Sequence, residues 1–248
     1  MEKQSDAEGQ PAGIRINKYL AQAGLCSRRK ADEYVSNGLV TINGEVIKQP
    51  GTLVLPGDEV TLRGRKVEQK EPPVYLLLNK PKNTICTASD PQGRMTVLDI
   101  VSKKIRERVF PVGRLDRDTT GLLVLTNDGS LAERLAHPRH QVKKVYHVVL
   151  DKPVSETHLR AIKNGLTLED GPAQVDSVAY VEGKETNEVG IELHIGRNRI
   201  VRRIFEHLGY RVVRLDRVYY GGLTKKDLPR GRFRHLTDQE VIMLKHFS

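Results

Sequence analysis

The stretch Gly113–Leu123, GRLDRDTTGLL, holds two carboxylates two residues apart, Asp116 and Asp118, with Asp116 between Arg114 and Arg117. Three chemistries fit these residue types. Aspartate and threonine fold polar turns by bonding their side chains to nearby backbone, so the stretch can be structural. A D-x-D pair can hold a metal ion, although the flanking arginines disfavour a divalent cation. A single carboxylate can also act directly, kept ionised by a neighbouring arginine. Thr119-Thr120-Gly121 adds hydroxyls and a close-approach backbone suited to phosphate or ribose. The stretch by itself leaves all three readings open.

Its surroundings favour a polar loop held by rigid elements. Val109–Val112 and Leu122–Thr126 read as apolar strands, and Gly113–Gly121 is the loop between them. Further along, Asn127-Asp128-Gly129 turns the chain, and Ser130 with Glu133 forms a capping box for a helix to about Ala136. Val74–Asn79 reads as a strand stopped by Lys80-Pro81, and Thr96 caps a helix to about Val101. Val145–Leu150, Val175–Val181 and Val189–Ile195 read as strands, with a helix over Ser155–Asn164 ended by Gly165. Ile200–Leu208 is a helix with Ile200, Val201, Ile204, Phe205 and Leu208 on one face and Arg199, Arg202, Arg203 and Glu206 on the other. Arg211–Tyr220 reads as a pair of short strands. Strands and helices mixed this irregularly predict an α+β fold.

Many reaction classes lack their residues. There is no GxxxxGK[ST] loop, no GxGxxG and no HExxH. Cys26 and Cys86 are the only cysteines, and no histidine is followed by x-Glu, which removes the zinc site of base deaminases. What remains is a binding protein, or a cofactor-free reaction carried by carboxylate, tyrosine and arginine. The two cysteines read as small buried hydrophobes in a reducing compartment. No run of about 18 apolar residues exists to cross a membrane. The polar first 13 residues have no apolar signal core, so the protein is expected in the cytoplasm.

The 248 residues carry a formal charge of +10 at neutral pH, which points to a polyanion. Two clusters hold much of that charge. Ser27 caps a helix whose first turn is Arg28, Arg29 and Lys30, with Arg15 and Lys18 on the preceding helix. Cations are unfavourable at a helix start unless an anion joins them there. Gly196–Arg217 holds seven arginines against Glu206 and Asp216, and arginine this dense favours phosphate or carboxylate recognition.

The N-terminal cluster sits in a module, residues 14–62, of two helices, a Val40–Ile47 hairpin turning at Asn43-Gly44 and a last strand near Glu59–Leu62. Residues 1–13 read as a disordered leader. Residues 63–73, RGRKVEQKEPP, read as a linker to a larger domain over 74–248.

Within the module, IRINKYLAQAGLCSRRKADEYVSNGLVTINGEVI resembles the RNA-binding domain of ribosomal protein S4. In the larger domain, VGRLDRDTTGLLVLTNDG resembles the signature loop of pseudouridine synthases, in the RsuA/RluB branch of bacterial ribosomal RNA enzymes. YLLLNKPKNTICTASDPQGRMTVLD, VKKVYHVVL and IGRNRIVRRIFEHLGYRVVRLDRVYYGGL match that branch's other blocks in order. The resemblance implies a mixed, mainly antiparallel sheet flanked by helices around a central cleft. It implies Asp116 as the catalytic aspartate, Tyr146 as the tyrosine that stacks on the target base, and Arg202 as the basic partner of the aspartate. Arg15, Lys18, Arg28, Arg29, Lys30, Lys80, Arg114, Arg117, Thr119, Thr120, Arg197, Arg199 and Arg203 are the expected RNA contacts. One departure is Ile200, where the branch often has glutamine.

The implied reaction turns uridine in ribosomal RNA into pseudouridine. It is an isomerisation that needs no metal, nucleotide or redox cofactor. Gly165–Ser177 resembles large-subunit (RluB-like) members more than small-subunit ones, which points to 23S rRNA. A monomer is expected, with no membrane partner. A non-catalytic ribosome-assembly factor is the alternative, and a metal-dependent nuclease using Asp116 and Asp118 a third class.

Overall fold

The computed structural model describes residues 13–68, 71–88 and 90–246, and the chain divides into two units after Pro72. The expected leader, apart from Gly13, lies outside the described residues.

The first unit contains β1 (Ile14–Arg15), α1 (Ile16–Gln22), α2 (Arg28–Ser36), β2 (Val40–Ile42), β3 (Glu45–Ile47), β4 (Leu53–Val54), β5 (Val60–Leu62) and β6 (Arg65–Lys66). Its core gathers Ile16, Leu20, Ala31, Val35, Val40, Val54 and Val60. Ser27 caps α2 as expected, its hydroxyl accepting from the Lys30 N–H at 3.2 Å. Asn43 and Gly44 both take positive φ, 52° and 87°, which makes the tight hairpin turn. The stretch read as linker from Arg63 onward behaves differently. Arg63 and Gly64 form a second positive-φ turn, β6 pairs with β5, and Val67 is buried in the module core. The charged composition hid a two-residue turn between strands.

The second unit contains β7 (Tyr75–Lys80), α3 (Val97–Val101), β8 (Phe110–Pro111), β9 (Thr120–Thr126), α4 (Gly129–Ala136), β10 (Lys144–Leu150), α5 (Glu156–Asn164), β11 (Leu166–Leu168), β12 (Gly171–Ala173), β13 (Ser177–Tyr180), β14 (Glu188–Leu193), α6 (Ile200–His207), β15 (Val212–Tyr220), β16 (Leu223–Thr224), β17 (Phe233–His235) and α7 (Asp238–Lys245). Nine strands join in one sheet of order β13-β14-β10-β15-β9-β7-β17, with β16 on β15 and β8 on β9. All its named pairs are antiparallel except β15 with β9, so the sheet is mixed and mainly antiparallel.

Strand β9 is apolar on both faces because both are covered. Leu122 and Val124 pack with Leu131 and Leu135 of α4 and Leu244 of α7, whereas Leu123 and Leu125 pack with Val97 and Val101 of α3. On the far half of the sheet, α5 and α6 pack through Leu159, Ile162, Ile204 and Phe205 onto Val148, Val189, Ile191 and Leu215.

Several local readings change. The loop holding Asp116 is shorter than expected, because Thr120 and Gly121 already belong to β9. Helix α4 is capped by Asp128, whose carboxylate accepts from the Ser130 and Leu131 N–H groups, and not by Ser130. Residues Val212–Tyr220 form one strand carrying register shifts instead of two strands. The β11–β12 hairpin and the elements after Tyr220 were not anticipated, although Thr237 and Glu240 do form a capping box at the start of α7. Cys26 is buried and Cys86 half-buried.

Candidate active site

A cleft of about 390 Å³ opens in the second unit where β10, β15, the start of α6 and the loop before β9 meet. Asp116 and Tyr146 both line it, and so does Arg114.

The Asp116 loop is held from beneath by Lys80, which is fully buried. Its Nζ donates to the carbonyls of Thr119 at 2.8 Å, Asp116 at 3.0 Å, Pro81 at 3.1 Å and Arg117 at 3.3 Å. Burial pushes this ammonium down to about 8, with the nearby carboxylates Asp118 and Asp116 acting in the opposite sense. The Thr119 N–H closes a turn on the Asp116 carbonyl at 3.1 Å, and the buried Leu115 donates its N–H to Cys86 Sγ at 3.4 Å. Lys80 therefore shapes the loop and has no face left for RNA, which corrects the expected contact.

Helical periodicity puts Arg202 on the polar face of its helix, and the resemblance implies it as the basic partner of Asp116. Arg202 is only 5% exposed. The helix lies so close to the Asp116 loop that this nominally polar face is covered. Nη1 donates to the Val212 carbonyl at 3.1 Å. Its nearest ion pair is with Asp118 Oδ2, at 2.8 Å from Nη2, while Nε lies 3.8 Å from Asp116 Oδ2 and makes no hydrogen bond. The pairing with Asp116 is thus the looser of the two. Arg199, in the left-handed region at φ 48°, brings Nη1 to 3.7 Å from Asp116 Oδ2. Two cations therefore flank the half-exposed Asp116 carboxylate. Ile200 is buried in the apolar core, as its place on the helix predicts.

Other expected RNA contacts are already engaged. Thr119 is buried, its hydroxyl within 3.5 Å of Arg202 Nη2. The Thr120 hydroxyl donates to Asp216 Oδ1 at 2.9 Å. Arg203 pairs with Asp170 at 2.7 Å, and Arg197 donates to the Asp170 side chain and backbone at 3.0 Å. These two arginines clasp the β11–β12 hairpin, so an internal carboxylate takes the place expected for phosphate. Arg114 and Arg117 remain exposed, and Arg114 lines the cleft. In the first unit Arg15, Arg28, Arg29 and Lys30 are exposed and Lys18 is half-buried, with Lys30 ion-paired to Glu33.

Lys144, Arg217 and Tyr220 also line the cleft, and the sequence gives none of them a place in the site. Lys144 stands two residues before Tyr146 on one strand, a spacing that puts both on one face. Arg217 and Tyr220 reach that face only through the register of β15 against β10, which the sequence does not display. Among the described residues, no three His, Cys, Asp or Glu side chains gather as metal ligands, and no helix is long and apolar enough to cross a membrane.

Residues 74–207 match the sequence profile of the RNA pseudouridylate synthase family, and residues 14–60 match the S4 domain. The chain belongs to the RNA pseudouridylate synthase family. This synthase is 41% identical to the ribosomal large subunit pseudouridine synthase B of Bacillus subtilis over 93% of its own length and 95% of the relative's. It is 36% identical to the enzyme of that name from Xylella fastidiosa, covering 99% of this chain and 53% of the longer relative. An RNA pseudouridine synthase of Aquifex aeolicus is 41% identical over 93% of each chain. The crystal structure of a pseudouridylate synthase superposes with a TM-score of 0.67 at 30% identity, covering 93% of this chain and 99% of that one. The chain is accordingly an RNA pseudouridine synthase with an S4 domain ahead of its catalytic fold.

Proposed function

We propose that this synthase isomerises a uridine of large-subunit ribosomal RNA, with Asp116 as the reacting carboxylate. The observation that carries the reading is the convergence of Asp116 and Tyr146 on one cleft, with the buried Arg202 behind Asp116. The names of the Bacillus and Xylella relatives, and the resemblance of Gly165–Ser177 to large-subunit members, support the choice of RNA. The cytoplasm is the compartment this substrate implies, and the enzyme works as a monomer.

The reaction breaks the N1–C1′ bond, turns the base and rejoins it through C5. A carboxylate beside C1′ serves as nucleophile or manages charge and a proton as the base detaches. Arg202 and Arg199 flank that carboxylate and orient it. Tyr146 offers an aromatic face to the detached uracil. The uridine must leave its stack to enter the cleft, and the exposed Arg114 and Arg117 are placed to hold the backbone around it.

Pseudouridine mapping of ribosomal RNA from cells lacking the gene, rescued with wild type or Asp116→Ala, tests this reading. One uridine is expected to lose its mark in the deletion strain and regain it only with wild type. In vitro, the variant's rate should fall at least about 10³-fold while RNA binding persists. No altered uridine would defeat the substrate assignment, and rescue by Asp116→Ala would defeat the role given to Asp116.

A further inference from the structure

The cleft floor contains a cationic pair that the roles above leave unused. In the β10–β15 ladder, Tyr146 stands opposite Arg217 and Lys144 opposite Tyr220. Opposite residues share a face, and all four line the cleft. They form a square with an aromatic ring at each end of one diagonal and a cation at each end of the other.

Both cations have donor capacity to spare. Arg217 is only 4% exposed, and its Nε donates to the Leu122 carbonyl at 2.7 Å. Its guanidinium stacks 4.4 Å from the Tyr220 ring centroid, yet its buried Nη2 has no acceptor. A buried, unpaired guanidinium nitrogen costs free energy unless something arrives to accept from it. Lys144 Nζ donates to the Val142 and His194 carbonyls, both at 2.8 Å, which uses two of its three N–H bonds.

We propose that Lys144 and Arg217 form a subsite for the carbonyl oxygens of the uracil, stabilising the negative charge it carries while detached. This rests on the reading that Asp116 acts at C1′ and Tyr146 faces the base. When N1–C1′ breaks, its electron pair leaves with the base, and the charge on N1 spreads to O2 and O4. Asp116 compensates the electron-poor C1′. C5 then bonds to C1′, the C5 proton leaves, and N1 takes up a proton, so the sum is an isomerisation. Donors fixed in a cleft before charge develops stabilise it without reorganisation.

Burial, with Arg217 as the next cause, lowers the Lys144 ammonium to about 8, and Asp176 partly offsets this. The other titratable neighbour, His194, is bound through Nδ1 to Asp176 at 2.7 Å. His137, Arg114, Arg197, Arg199 and Asp116 complete the charged lining of the cleft. Lys144 is therefore charged at neutral pH and loses its proton as pH rises through about 8.

The test is single-turnover release of tritium from C5-labelled ribosomal RNA of a strain lacking the gene. Lys144→Met and Arg217→Gln should each lower the saturated rate about 10²-fold or more, with RNA affinity within about twofold of wild type. The wild-type rate should fall above about pH 8, and Lys144→Arg should hold its rate to higher pH. The Lys144 variants keep the test independent of any folding defect at the more deeply buried Arg217. An alkaline limb identical in wild type and Lys144→Arg would overturn the proposal. So would lost RNA affinity with an unchanged rate, which describes a phosphate contact. Absence of release by wild type would instead sink the proposed function, and this subsite with it.

Discussion

Asp116 and Asp118 are two positions apart and meet different surroundings. Asp118 takes the close ion pair with Arg202, at 2.8 Å, and so anchors the guanidinium. Asp116 stands farther from its cations, at 3.7 and 3.8 Å, and opens onto the cleft. A carboxylate bound tightly by arginine is spent on structure, whereas one held at a distance keeps its lone pairs for a substrate. Asp216 shows the tight case again. Burial alone would raise its carboxyl, but hydrogen bonds from Arg230, Lys225 and Thr120 win and bring it down to about 2. A carboxylate whose folded value lies below its ordinary 3.8 stabilises the fold above about pH 4, and that contribution disappears as pH falls toward 2. The effect is about 2 kcal/mol. Thermal melts between pH 5 and 2 should lose less stability with falling pH in Asp216→Asn than in wild type, and parallel losses would contradict it.

At the scale of elements, Gly121 is the point where the Asp116 loop becomes β9. Its φ is +107°, and a Cβ there would lie 2.3 Å from the Arg217 carbonyl oxygen and 2.5 Å from the Arg217 nitrogen. Those atoms are backbone of β15 and cannot move aside as a side chain would. The glycine thus permits the parallel contact of β9 with β15, which places the Asp116 loop beside Arg217. Gly121→Ala should cost about 3 kcal/mol or more of stability by strain and clash together. A melting temperature within a degree or two of wild type would show that the strands can separate there at little cost.

Lys80 and Arg202 mark where legibility of elements stopped short of legibility of roles. The strand ending at Lys80 and the helix containing Arg202 both follow from apolar periodicity. That a lysine would bond four carbonyls, or that a polar helix face would be covered by a loop 83 residues earlier, depends on packing across the chain. Arg197 and Arg203 went astray for the same reason. Arginine density signals a search for anions, and the anion turned out to be Asp170 on a hairpin with too few residues to show a strand pattern.

At the scale of the whole molecule, the two units divide grip from chemistry in the proposed reading. Arg28 and Arg29 sit exposed in the first turn of α2, where free N–H groups also favour phosphate. Replacing both with alanine should weaken RNA binding and lower the slope of log affinity against log salt by roughly one to two. The saturated single-turnover rate should stay near wild type, since the cleft lies in the other unit. An unchanged slope would remove this site from the RNA interface. Lys30, tied to Glu33, should contribute less.

The sequence by itself determined the two-part organisation, the α+β class, most helices and strands, and the loop carrying Asp116. These rest on short-range signals: periodicity, capping side chains and residues that tolerate positive φ. The tertiary structure decided which charges face one another. It buried Lys80 and Arg202, tied Arg197 and Arg203 to Asp170, and set Lys144, Tyr146, Arg217 and Tyr220 on one cleft floor. Electrostatic roles depend on distances and burial, and strand register and helix docking fix these between residues far apart in the chain.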